Sequence, residues 1–297
     1  MISIPFFVKR CNNKDIRIIL ILYAFNYMTS ILYYKRCEIN FELNNINLDK
    51  INKCINIVAK NIKLIKLINK STNYSVLDKI IYFKINVISN KIIMNINFSH
   101  VYYDAYSIFT ILEIIDNIYL DKISSYPELN IYKFDKSLTS IIYNNINLIK
   151  NFSIKSTIDY FYKRNKKAYK ININKIKDLS NPEIIKFILK KLNINEYCLY
   201  VNARKIFPEL NNKIGNLIYI SNNIKINDNI RDILDKDKNY TIDILINKLG
   251  KSTLINSYLG FNLPSFVKKI NANDLSFSNT IFIHPLTKDY LYFDYYY

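Results

Sequence analysis

The 297-residue sequence has no tryptophan, only three glycines and six prolines, four cysteines and two histidines. So few glycines exclude collagen-like sequence, flexible glycine-rich linkers and any glycine fingerprint that wraps a phosphate. The cysteines (Cys11, Cys37, Cys54, Cys198) are far apart and form no CxxC pair. A chain long enough to bury its own core does not need disulfides, so they read as reduced thiols in a cytoplasmic protein. Only His100 and His284 offer imidazole to join those thiols, and neither spacing suits zinc, so no metal site is expected. Acidic residues are scarce as well: 24 Asp and Glu stand against 42 Lys and Arg, a net charge of +18.

Hydrophobic residues make up 50% of the chain, including 26 Tyr and 17 Phe, and 22% are charged. That balance excludes intrinsic disorder, and the length suits one large domain or two of about 150 residues. The excess of Ile, Asn, Lys and Tyr reads as AT-rich coding bias. Lysine supplies all but six of the basic residues, and no aromatic–basic motif of a nucleic-acid reader is present, so nucleic acid is not an expected partner.

Ile18 to Tyr34 is uncharged, largely apolar and flanked by Arg17 and Lys35-Arg36. At this length it reads as a buried segment entering the core; the alternative is membrane association through residues 18–34. No small-residue cleavage site follows it, so it does not read as a signal peptide.

Leu48 to Asn69 places Ile51, Ile55, Val58, Ile62 and Ile65 three or four apart, which predicts an amphipathic helix capped by Asn45 or Asn47. Lys79 to Phe98 holds two β-rich runs across Ile-Ser-Asn-Lys, an antiparallel hairpin. Helical periodicity returns after Asp104, with Ile108, Leu112, Ile115 and Tyr119 on one face. Residues 122–175 are polar and contain Lys163-Arg-Asn-Lys-Lys, a solvated linker or, more sharply, a grip for phosphates. A helix is expected from Pro182 to Leu192, strands at Tyr197–Val201 and Leu217–Ile220, helix from Ile244 to Leu259 broken at Gly250, and a late strand at Asp274–Ile283 before the aromatic tail Tyr290–Tyr297. Strands and helices alternate in both halves with no internal repeat, an α/β arrangement.

The chemistry concentrates in Asn97-Phe-Ser-His-Val-Tyr-Tyr-Asp-Ala-Tyr-Ser107. A histidine at a strand end projects into whatever cleft lies there, and an aspartate four residues on can order the backbone around it. Near its ordinary pKa of about 6.5 an imidazole can take a proton from an alcohol or amine at neutral pH. As a bare pattern, His-x-x-x-Asp is weak in a chain with this many aspartates.

Its setting between an apolar strand and an amphipathic helix resembles the HxxxDG motif of the coenzyme A-dependent acyltransferase superfamily: chloramphenicol acetyltransferases, BAHD acyltransferases and peptide-synthetase condensation domains. A second stretch, Tyr200-Val-Asn-Ala-Arg204, then Pro208-Glu-Leu, then Gly215-Asn216, resembles the BAHD sequence V-[ND]-x-R, Pro-Leu, Gly-Asn. Leu275-Ser-Phe-Ser-Asn279 is a weaker match to the family's late strand. The resemblance implies two chloramphenicol acetyltransferase-like half-domains, each a mixed sheet with helices, with the active-site channel between them. Residues 1–150 would be the first half-domain, 151–175 a basic crossover and 176–297 the second.

By the same resemblance His100 is the general base, while Asp104 is a structural partner of Arg204. Gly215 and Asn216 shape the turn behind the site, and Ser278 or Asn279 donates to an oxyanion. The implied co-substrate is acyl-CoA or a phosphopantetheine thioester, with no permanently bound cofactor. The partner is a small alcohol or amine acceptor, and the chain acts as a monomer. Ala105 replaces the motif glycine, Tyr292-Phe-Asp-Tyr stands where the family has DFGWG, and the chain is shorter than typical members. Those departures carry the alternative, a catalytically silent relative that keeps the fold for binding. His284 reads as structural.

Overall fold

In the computed structural model the described residues are 36–70, 74, 78–100, 102–123, 130–131, 165–202, 204, 213–221, 223–230, 252–272 and 279–297. Residues 18–34, Cys11, Lys163-Arg164, Ser278 and the expected helix up to 250 lie outside them. In chain order the first elements are β1 (Cys37–Leu43), α1 (Leu48–Asn61), β2 (Ile65–Leu67), β3 (Ile81–Ile88), β4 (Lys91–Phe98), α2 (Ala105–Tyr119) and β5 (Asn130–Ile131). There follow β6 (Lys166–Asn172), α3 (Asn181–Lys191), β7 (Glu196–Asn202), β8 (Lys213–Ile214), β9 (Ile218–Ile220) and β10 (Ile224–Lys225). The chain closes with β11 (Thr253–Ser257), β12 (Val267–Ala272), β13 (Thr280–Ile283) and β14 (Tyr290–Tyr296).

Two mixed sheets carry the fold. The five-stranded one runs β12-β1-β4-β3-β2; the seven-stranded one runs β10-β7-β11-β13-β14-β6, with β9 also paired to β7. Ser89 and Asn90, both with left-handed φ (46° and 63°), make the two-residue turn between β3 and β4. That turn geometry matches the twist of an antiparallel hairpin. Ile51, Cys54, Ile55 and Val58 of α1 join Ile108, Ile111, Leu112 and Ile115 of α2 in one buried cluster with Phe41, Phe83, Met94 and Ile96 of the first sheet. On the second sheet Ile184, Ile185, Ile188 and Leu189 of α3 pack with Tyr197, Ile255, Ile281 and Phe293. Cys37, Cys54 and Cys198 are buried as thiols.

Several elements differ from the sequence expectation. The first helix stops at Asn61, and residues 65–67 leave it to pair in parallel with Ile81–Phe83. Ile65-Lys-Leu67 alternates with period two as well as continuing the helical face, and strand pairing wins. Residues 253–257 form a strand, not a helix: β11 lies between β7 and β13, parallel to both. β11 reads Thr253-Leu-Ile-Asn-Ser257, and its two buried apolar residues, Leu254 and Ile255, are adjacent, so no alternation sets it apart from helix. Lys166 and Lys167 belong to an edge strand, β6, which pairs with β14 from Asn172↔Tyr290 to Lys166↔Tyr296. Exposed lysines suit an edge, where they discourage further strand pairing.

β12 comes late in the chain yet pairs with β1 at the edge of the first sheet, from Ile39↔Ala272 to Leu43↔Val267. The chain beyond residue 176 therefore supplies a strand to both sheets. No helix among the described residues is long and apolar enough to cross a membrane.

Candidate functional site

β4 delivers His100. After Phe98 the carbonyl of buried Ser99 accepts the amides of Tyr102 and Tyr103, each at 3.1 Å, closing a tight turn. Tyr103 is buried and its hydroxyl donates to the Lys79 carbonyl at 2.7 Å, which fixes the turn against the start of the hairpin. Asp104 then caps α2: its backbone is extended (φ −100°, ψ 174°) and Oδ1 accepts the Ser107 amide at 2.9 Å. The cap satisfies one of the donors a helix start leaves open. Ala105 is the first helical residue and is not among the residues with positive φ, so no glycine is required there.

Asp104 is fully buried, and both its oxygens are engaged. Oδ1 also accepts the Ser107 hydroxyl at 2.8 Å. Oδ2 accepts Arg204 Nη1 at 2.6 Å and the Leu217 amide at 2.9 Å. Arg204, only 4% exposed, spends its remaining donors on backbone and side-chain oxygens. Nε reaches the Lys213 carbonyl at 2.9 Å, Nη2 the Gly215 carbonyl at 3.1 Å, and Nη1 the Asn202 Oδ1 at 3.1 Å. Its guanidinium carbon lies 4.4 Å over the Tyr106 ring, a cation–π contact. Ser107 completes the lattice: its Oγ accepts the Gly215 amide at 3.0 Å, and its single proton is shared between Asp104 Oδ1 and the Gly215 carbonyl, 2.9 Å away. Taking two charges out of water is costly, and this density of donors and acceptors around both offsets the cost.

The lattice ties α2, over the first sheet, to the segments around β7, β8 and β9. Asn216, fully buried, adds a further link: its Nδ2 donates to the His100 carbonyl at 2.6 Å. His100 itself is partly exposed, with its ring centroid 6.4 Å from that of Phe98. Burial of the imidazole lowers its pKa below the ordinary histidine value, against the opposing pull of a bond with its own backbone and of the Asp104 charge. The neutral ring, which carries a basic nitrogen, is therefore favoured at pH 7.

Of the residues singled out from the sequence, His100, Asp104, Arg204, Gly215 and Asn216 come together. Asn279 precedes β13 with left-handed φ (58°), and its carbonyl accepts the Leu254 amide at 2.8 Å. Ser278 lies outside the described residues. Sequence reading gave no role to Ser107, Asn202, Tyr106 or the Leu217 amide. Ser107 had a signal, a hydroxyl three residues after an aspartate that opens an apolar helix. A backbone amide such as that of Leu217 leaves none. Among the described residues no group of three or more His, Cys, Asp or Glu side chains is placed to hold a metal ion.

No protein-family model matches the chain, and no curated protein matches its sequence. Solved structures do match. The condensation enzyme VibH superposes with a TM-score of 0.57 at 10% identity, over 92% of this chain and 88% of VibH. TRI101 of F. graminearum, in complex with coenzyme A and T-2 mycotoxin, gives 0.56 at 9% identity over 92% and 93%. Vinorine synthase gives 0.54 at 10% over 91% and 88%. The fold is thus the two-lobed chloramphenicol acetyltransferase-like fold that the sequence resemblance implied.

Proposed function

We propose that the chain is an acyltransferase, moving an acyl group from an acyl thioester, acyl-CoA in the simplest case, to a hydroxyl or amine acceptor. The observation that carries this reading is the placement of His100. It follows β4 with its carbonyl held by Asn216 from the segment between β8 and β9, and burial favours the base form of its ring. TRI101, a neighbour in fold, was crystallised with coenzyme A and a small molecule together, which supports the same pairing of co-substrates here.

In the proposed reaction a ring nitrogen of His100 takes the acceptor proton as the acceptor oxygen or nitrogen attacks the thioester carbonyl. The tetrahedral oxyanion collapses with cleavage of the C–S bond, and the imidazolium returns its proton to the departing thiolate. The products are an ester or amide and a free thiol, and no acyl group is carried on the protein. Holding both substrates beside one base supplies much of the acceleration. Asp104 and Arg204 touch neither substrate in this scheme: their lattice fixes the turn that presents His100. Gly215 and Asn216 shape the segment behind it, and Ser278 or Asn279 is the proposed oxyanion donor. The half-domain limits 1–150 and 176–297 belong to the same proposal, with β6 of the crossover joined to the second sheet and β12 passed to the first. So do a monomeric state and a cytoplasmic setting, the last supported by three buried thiols.

Incubation with acetyl-CoA and a panel of alcohols and amines tests the reading by mass spectrometry. An acylated acceptor with unmodified protein is the expected result; acyl group retained on the protein during turnover would overturn it.

A further inference from the structure

The second histidine is built into a pair of its own. His284 follows β13, and its amide continues the ladder by donating to the Tyr292 carbonyl at 3.0 Å. Its Nε2 lies 3.1 Å from Oδ2 of Asp294, and Lys166 Nζ stands 3.5 Å from the same oxygen. His284 is 8% exposed and Asp294 6%. Burial alone would raise the Asp294 pKa, but the hydrogen bond from His284, with Lys166, brings it below the ordinary value. A carboxylate only accepts, so in the neutral imidazole the proton sits on Nε2 and Nδ1 keeps its lone pair.

That lone pair is buried and has no hydrogen-bond partner among the described residues. Nor has Oγ1 of Thr280, four residues earlier on the same strand face and 2% exposed. Between them stands Phe282, its ring 5.0 Å from His284 and 4.6 Å from Tyr258. Tyr258 lies 5.8 Å from Phe109 of α2, so this face of the second sheet turns toward the same buried cluster as the helix that Asp104 caps. A histidine kept only for packing would spend both nitrogens on the protein or on ordered water. Here one nitrogen is spent on a carboxylate that fixes the tautomer, and the other is left as an oriented acceptor.

We propose that His284, oriented by Asp294, is a ligand-binding residue whose Nδ1 accepts a hydrogen bond from an O–H or N–H group of an uncharged small-molecule moiety, flanked by Phe282 and Tyr258. It rests on the acyl-transfer reading for its choice of probes, because the pantetheine arm of a thioester donor and an acyl acceptor both present such groups. Two histidines in the chain give only two sets of ring nitrogens, so imidazole ¹⁵N NMR of the full chain reads the site directly, with His100→Gln assigning the signals. One arm titrates pantetheine; the other titrates benzyl alcohol and aniline, both uncharged at neutral pH.

The expected result is an Nδ1 shift at His284 with at least one probe. Its dissociation constant, read in the variants by isothermal titration calorimetry, should rise about tenfold in His284→Phe and in Asp294→Asn, with His284→Gln, which keeps an acceptor, in between. A shift with pantetheine alone assigns the site to the donor, and one with the fragments alone assigns it to the acceptor. Binding that moves only the His100 signals overturns this inference and leaves the acyl-transfer reading standing. Silence at both histidines with every probe counts against both.

Discussion

Asn216 and His100 are 116 positions apart in sequence, yet the Asn216 side-chain amide donates to the His100 carbonyl at 2.6 Å. The bond fixes the main chain that carries the imidazole. Asn216→Ala should accordingly lower kcat by about 100-fold while KM for the thioester stays near the wild-type value, since small misplacements of a catalytic group cost on that order. Steady-state kinetics read the split. A rise in KM at unchanged kcat would place Asn216 in substrate binding.

Arg204→Met leaves the buried Asp104 carboxylate without its ion pair, and should cost about 3–5 kcal/mol in denaturant unfolding. Asp104→Leu combined with Arg204→Met should cost less than the two single changes added together, because the pair removed as a unit leaves no orphaned charge. Additive losses would mean that the two side chains act independently, against their 2.6 Å separation.

Ser107→Ala removes the hydroxyl that joins Asp104 to both backbone groups of Gly215, and should destabilise by about 1–3 kcal/mol, because buried partners are left unsatisfied. Thr110→Val, three residues on, deletes a hydroxyl bonded only to the Tyr106 carbonyl of its own helix, and should change stability by about 0.5 kcal/mol or less. Equal effects in chemical denaturation would remove Ser107 from the lattice.

The pH dependence follows from the lowered pKa of His100. The unfolded chain, with histidine near about 6.5, binds its proton first as pH falls, so the folded state loses stability from there down to the folded-state pKa and keeps it above. His100→Gln should flatten that part of the stability curve, measured by urea unfolding between pH 7 and pH 5. The acid limb of kcat/KM should likewise lie below about pH 6.5. A limb well above that value would require a raised histidine pKa.

The hairpin, α2 and α3 were legible in the sequence because each combines a periodic apolar face with a cap or a turn signal. Ile108, Leu112 and Ile115 declare one helix, and Ser89-Asn90 declares the hairpin turn. β11 and β12 were not legible. The first sets its two buried apolar residues side by side and shows no alternation; the second owes its place to pairing with β1, more than 200 residues earlier, and nothing local encodes that. The candidate site divides the same way. Arg204 and Gly215 stood out because arginine and glycine are rare here, whereas the pairing of His284 with Asp294 depends on the register of β13 against β14, which spacing along the chain does not reveal.

The central claim is that His100 is the base in direct transfer from a thioester. The measurement that tests it most directly is the initial rate of thiol release from acetyl-CoA in the presence of an accepted alcohol or amine, for the wild type and for His100→Ala. The account predicts a loss of about 100-fold or more in the variant, the usual contribution of a positioned general base. Equal rates in the two proteins would contradict it.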